Sequence, residues 1–182
     1  SYIRTVIRAI GYKQRPGTAA PLATALRNAT NPRLIEAAAE ALRKQGDKGI
    51  KALIELLEAD DATWSRRNSI CYSLGRLADG DFARDALLAI LQRANSSEQL
   101  PALRGLASRS DDAAVDAMRV SLASHKNLIL ASTALQQLAT HKHAAAPGLA
   151  LDFAQRLPAK ADADLHTAVM QGLLTKPTTD NY

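Results

Sequence analysis

The chain has 182 residues, 47% of them hydrophobic, enough for one folded domain that buries roughly two thirds of the surface its unfolded form exposes. Only 4% are aromatic, so a core has to be built from Leu, Ile, Val and Ala, which suits packed helices and argues against a sheet of aromatic and β-branched residues. The formal charge of +5 favours acidic protein faces or nucleic acid without being extreme for this length, and a single cysteine, Cys71, excludes an intrachain disulfide and a cysteine-based zinc cluster.

In chain order, apolar spacing predicts helices near residues 2–12, 18–28, 32–45, 48–59, 63–78, 82–94, 97–109, 112–124, 127–141, 146–157 and 162–175. The start, SYIRTVIRAIGYKQRPG, reads as an amphipathic helix entered within a repeat and lacks the apolar centre of a signal peptide, as expected of a piece of a longer protein. Asn31 before Pro32 reads as an N-cap followed by a first-turn proline. Gly46 and Gly80 stand where helices should stop, and Asp47, Asp81, Asp111 and Asp112 stand where carboxylates favour a helix start. The pair Asp60-Asp61 is read as another N-cap, and Asn95 with Glu98 as a capping box. No apolar run approaches the roughly 20 residues of a membrane span. The expectation is one soluble domain over residues 1–182, without membrane insertion and cytoplasmic by default; the oligomeric state leaves no sign in the sequence.

Self-similarity organises these elements. Ile10, Leu42, Leu74, Leu106, Leu138 and Met170 follow one another at steps of 32. The residues four earlier, one helical turn back on the same face, are Val6, Ala38, Ile70, Ala102, Ala134 and His166; those three earlier are Ile7, Ala39, Cys71, Leu103, Leu135 and Thr167. Between these helices lies a second set marked by apolar pairs four apart: Leu22 with Leu26, Leu53 with Leu57, Leu87 with Leu91, Met118 with Leu122, and Leu149 with Phe153. Each unit is thus a helical hairpin. The fold class expected is all-α, an α-solenoid of about five to six stacked antiparallel hairpins in which neighbouring units supply the burial that one hairpin cannot.

A first helix such as IKALIELLEA and a second such as PRLIEAAAEALRKQGD or SICYSLGRLADG resemble HEAT repeats, especially the bacterial kind with small, alanine-rich second helices. Arg67 fits the arginine that such repeats often carry early in the second helix, whereas Ile35 occupies that place one repeat earlier. The resemblance implies a curved, right-handed, armadillo-like superhelix whose second helices line the concave side. Members of this family serve mostly as scaffolds and adaptors, while some relatives modify bilins or bind damaged DNA.

If second helices carry the binding face, the rows flanking the buried stripe define it. Two positions before the period residue stand Arg8, Glu40, Tyr72, Arg104 and Gln136; two after it stand Tyr12, Lys44, Arg76, Ser108 and Thr140. Arginine forks and tyrosine plates are common anchors of binding surfaces. Arg8, Tyr12, Glu40, Lys44, Tyr72, Arg76, Arg104 and Gln136 are therefore the expected partner-binding residues, against the plainer reading of solvated helix faces.

Chemistry is sparse. His141 and His143 lack further ligands, since His125 and His166 fall elsewhere, so solvated loop histidines are expected and no metal or other cofactor. Cys71 falls on the core face, and Trp64 reads equally as a packing staple or an exposed anchor. No phosphate loop, nucleophile elbow or His-Glu metal motif occurs, so no enzyme is expected. The function expected is a protein-binding scaffold or regulatory adaptor. The alternative is binding of a duplex nucleic-acid backbone through Arg8, Lys44, Arg66, Arg67, Arg76 and Arg104.

Overall fold

A computed structural model describes residues 2–13, 17–59, 61–77, 81–92, 96–122, 128–156 and 167. The described residues form ten helices and no strand: α1 (Tyr2–Lys13), α2 (Ala19–Asn28), α3 (Pro32–Arg43), α4 (Asp47–Glu58), α5 (Trp64–Gly75), α6 (Asp81–Leu91), α7 (Ser96–Ala107), α8 (Asp112–Leu122), α9 (Leu128–Thr140) and α10 (Ala146–Arg156). They follow the ten helices expected from apolar spacing. The eleventh, over 162–175, lies outside the described residues save Thr167, as do Asp60, Gly80, Asn95, His125, His166 and Met170.

The helix starts show why these segments fold locally. Asn31 Oδ1 accepts from the Arg33 amide at 2.9 Å, with Pro32 in the first turn of α3. Asp111 Oδ1 accepts from the Ala114 amide at 2.9 Å and opens α8. Gly46 takes φ of 64° directly before α4, a left-handed conformation that an L side chain would strain. One expectation is corrected: α5 is capped by Thr63, whose Oγ1 accepts from the Arg66 amide at 3.4 Å, and not by Asp61. Asp61 stands two residues too early to reach that amide and instead lies 3.9 Å from Arg66 Nη1.

The chain divides after Leu106 into two compact units. In the first, α3 packs against α1 and α5 as one layer of second helices, and against α2 and α4 from the layer of first helices; α4 packs in turn on α5 and α6. In the second, α9 packs on α8 and α10, and α8 meets α10.

The 32-step positions form the cores of these units. Leu42, Leu74, Leu106 and Leu138 are fully buried, as are Ala38, Ile70, Ala102 and Ala134 one turn back. Burial of each such leucine contributes about 1.5–3 kcal/mol relative to exposure. The first copy departs from the pattern: Val6 is exposed and Ile10 half-buried, because α3 is the main packing partner of α1 among the described residues. Small residues bring backbones together. A β-carbon at Gly11 would stand 2.8 Å from Ala41 Cα, and one at Gly105 would stand 2.5 Å from the Cys71 carbonyl oxygen, so α1 approaches α3, and α7 approaches α5, at backbone distance.

Polar side chains close helix ends within a hairpin, where carbonyls lack intrahelical partners. Arg67 donates to the carbonyls of Ala62 at 2.9 Å, Leu57 at 3.3 Å and Ala59 at 3.4 Å, closing the end of α4, and also pairs with Glu98. One step of 32 later, Gln99 Nε2 donates to the carbonyl of Leu91 at 3.0 Å and closes α6 in the same way. Ile35, one step earlier, is buried and has no polar group to offer. Glu98 pairs with Arg67, while the capping box expected of it with Asn95 lies outside the described residues.

Candidate functional site

The outer face of the second helices in the first unit is a run of side chains four apart on each helix, the spacing that places residues above one another. On α1 it carries Arg4, Arg8 and Tyr12; on α3, Glu36 and Glu40, with Lys44 just beyond; on α5, Trp64, Asn68 and Tyr72, with Arg76 just beyond; on α7, Leu100 and Arg104. Arg8, Tyr12, Tyr72, Arg76 and Arg104 are exposed, whereas Glu40 and Lys44, read from the sequence as facing outward, are half-buried.

Contacts between these side chains follow a pattern. Lys44 Nζ lies 3.5 Å from the centre of the Tyr12 ring, Arg76 Cζ 5.7 Å from that of Tyr72, and Arg104 Cζ 5.9 Å from that of Trp64. A cation over an aromatic face is attracted by the ring quadrupole, by about 0.5–1 kcal/mol at exposed sites. The rings stay open to solvent all the same: Tyr12 is 73% exposed, Trp64 50% and Tyr72 47%. Trp64 is therefore an exposed plate and not a packing staple.

Glu40 is one of two acids on this face, with Glu36. Arg43 clamps its carboxylate with Nε at 2.8 Å and Nη2 at 2.5 Å, and Lys44 Nζ stands 3.9 Å away. The Arg43 hydrogen bonds hold the Glu40 carboxyl below its ordinary range against an opposing push from burial, and the positive charges of Arg43, Arg76 and Lys44 add to the lowering. The sequence reading missed Arg43, although its spacing of three from Glu40 was the available signal.

Other expectations fall differently. Gln136 is half-buried on α9 and belongs to the second unit, apart from the other seven candidate residues. Arg66 and Arg67 are withdrawn from phosphate contact. The first is 7% exposed with Nη1 donating to the Asp61 carbonyl at 3.3 Å, and the second is bound to the carbonyls described above. The loop histidines are engaged and not simply solvated. His141 Nε2 donates to the Arg109 carbonyl at 2.6 Å, its Nδ1 accepts from the His143 amide at 3.2 Å, and His143 Nε2 lies 2.9 Å from Asp112 Oδ1. Among the described residues no group of three or more His, Cys, Asp or Glu is placed to hold a metal ion. Burial pushes the Cys71 thiol up to about 12, which keeps it protonated and unreactive near neutral pH. No helix among the described residues is long and apolar enough to cross a membrane.

Residues 2–75, which hold α1 to α5, match the family model of HEAT repeats. That segment carries the hairpins whose sequences resemble the family. No curated protein matches the chain in sequence. Among solved structures, human deoxyhypusine hydroxylase in complex with glycerol is similar over 94% of this chain and 77% of that one, with 14% identity and a TM-score of 0.50. An engineered protein is similar over 94% of this chain and 88% of that one, with 20% identity and a TM-score of 0.44. A designed armadillo repeat protein is similar over 94% and 92% of the two chains, with 17% identity and a TM-score of 0.41. The hydroxylase, at that identity, shows a shared fold and nothing of activity. The described residues are all-α, and those of the segment 2–75 form HEAT-like repeats.

Proposed function

We propose that this chain is a non-catalytic protein-binding module, a scaffold or regulatory adaptor, whose first unit docks a partner on the outer face of α1, α3, α5 and α7. The observation that carries this reading is the set of three cation-aromatic pairs, Lys44 with Tyr12, Arg76 with Tyr72 and Arg104 with Trp64, left open on one face of a repeat fold. Such pairs hold planar side chains in place before a partner arrives, so less conformational entropy is lost on binding. Exposed Tyr, Trp and Arg are also the residue types that dominate binding hot spots.

A protein partner is favoured over nucleic acid by charge. Glu36 and Glu40 interrupt the row of cations, and Arg66 and Arg67 are occupied by carbonyls. A phosphate backbone gains from uninterrupted positive charge. The non-catalytic part of this reading is supported by the engagement of two reactive groups: Cys71 is buried, and Asp111 is used by Arg109 and by the start of α8.

The test pairs two measurements on the double variant Arg76→Glu, Arg104→Glu. Helix content should match the parent by circular dichroism, while capture of the parent's partner from native extract should fall at least tenfold, or about 1.4 kcal/mol. Unchanged capture would remove this face from the reading. Anisotropy of labelled duplex DNA checks the other class: micromolar binding that declines steeply with salt and is lost in the same variant would replace the protein reading with nucleic-acid binding.

A further inference from the structure

The layer of first helices carries a second surface. Between α2 and α4 runs an open groove of about 390 Å³. Its floor is alanine: Ala19 and Ala23 from α2 and Ala52 from α4. Side chains this small let an incoming chain approach the two helices closely. Arg27, Lys48 and Lys51 also line the groove, against one acid, Glu55. No side chain of these four is in hydrogen-bond or ion-pair contact with another described residue. The three cations line the groove as exposed side chains, unlike Arg43 or Arg67, whose charges are engaged within the fold.

We propose that this groove binds an acidic peptide segment in extended form, laid along the alanine floor with its carboxylates toward Lys48, Lys51 and Arg27. Charge complementarity selects the occupant: the lining carries three positive side chains against one negative. An open groove between two helices fits a chain that enters and leaves at its ends better than an enclosed small molecule. Glu55 within the groove and Asp47 beside Lys48 oppose a continuous row of phosphates, which argues for spaced carboxylates. The groove lies in the layer of α2 and α4 and shares no residue with the face of α1, α3, α5 and α7, so the inference stands independently of the function proposed above.

The experiment titrates the intact chain into a fluorescein-labelled peptide of alternating Glu and Ala, with the Gln and Ala counterpart as control, at low and physiological salt. Preferential binding of the acidic peptide, weakened at least tenfold by Lys48→Glu with Lys51→Glu and unaffected by Arg76→Glu with Arg104→Glu, is the expected result. Ala23→Leu keeps every charge but fills the floor, and should weaken the peptide as much as the charge reversal does. Retained binding in Ala23→Leu would mean diffuse attraction to surface cations and would overturn the groove. Equal binding of the two peptides, or no binding at low salt, would overturn it as well. So would loss of binding only in the Arg76, Arg104 variant, or tighter binding of duplex DNA that the Lys48, Lys51 variant abolishes. Circular dichroism of each variant separates lost binding from lost fold.

Discussion

Lys44 Nζ stands 3.5 Å from the centre of the Tyr12 ring although the two residues sit on different helices one step of 32 apart. The same row of the repeat thus supplies both members of a contact, so α1 and α3 are joined on their solvent side as well as through their buried stripe. If the pair stabilises the packing of α1 on α3, removing either member should forfeit the same energy. A double-mutant cycle of Tyr12→Ala and Lys44→Ala in urea should give a coupling of about 0.5–1 kcal/mol. Additive single effects would mean that the two side chains are merely neighbours.

Gly105→Ala should destabilise the chain. Helix propensity alone favours alanine by about 1 kcal/mol. The new methyl, however, would stand 2.5 Å from the Cys71 carbonyl oxygen, 2.9 Å from its carbon and 3.2 Å from Leu87 Cδ2. Backbone cannot swing aside as a flexible side chain can, and overpacking of this kind costs about 1–3 kcal/mol. A lower urea midpoint is expected; a higher one would show that α5 and α7 separate at little cost.

Cys71 makes stability depend on alkali. Its thiol ordinarily titrates at 9.0, and burial raises it to about 12 in the fold. Between those values the native chain holds a proton that the unfolded chain has released. Stability therefore falls as pH rises through this window, at most by about 1.4 kcal/mol per pH unit. Cys71→Ala should remove that slope from denaturation measured between pH 8 and 11. A thiol reagent at pH 8 should label the native chain far more slowly than the urea-unfolded chain, and equal rates would contradict burial.

Glu40 acts at the other end of the scale. Its carboxyl lies below the ordinary value of 4.5, chiefly through the hydrogen bonds from Arg43. As pH falls below 4.5 the unfolded chain takes up this proton first, so the stabilisation present at neutral pH is lost through the acid range. Glu40→Gln should give a shallower decline of the thermal midpoint below pH 4.5 than the parent; an identical decline would mean that the Arg43 clamp contributes nothing in solution.

The helices and their buried stripe were legible because both come from spacing. A leucine every 32 residues with small or apolar residues one turn back leaves little freedom over which face is buried, and Asn31, Pro32 and Asp111 announce their own helix starts. What escaped depended on neighbours outside the window of a helix. Thr63 displaced Asp61 as a cap because the last residues before a helix differ only by register, and the pairing of Arg67 with Glu98 joins residues on two different hairpins. On the candidate face, the withdrawal of Arg66 and Arg67 and the half-burial of Glu40 and Lys44 required the carbonyls at the end of α4 and the neighbouring helices to be placed. The α2 and α4 groove had a signal in the alanines of the first helices, which reading for apolar leucine pairs passed over.

One small feature gives the array a direction. Gln45 Nε2 donates back to the carbonyls of Ile10 at 3.4 Å and Gly11 at 3.2 Å, just as His141 reaches the carbonyl of Arg109, and each donor stands three positions past a period residue. At these two joints the end of one second helix is finished by a side chain from the next. Duplication of a tile would carry its own fastener along, so an array can lengthen without inventing a new joint. Removal of a tile at either joint is unequal: a cut that takes away Gln45 leaves the carbonyls of Ile10 and Gly11 without this donor, whereas a cut before them leaves Gln45 only a spare donor.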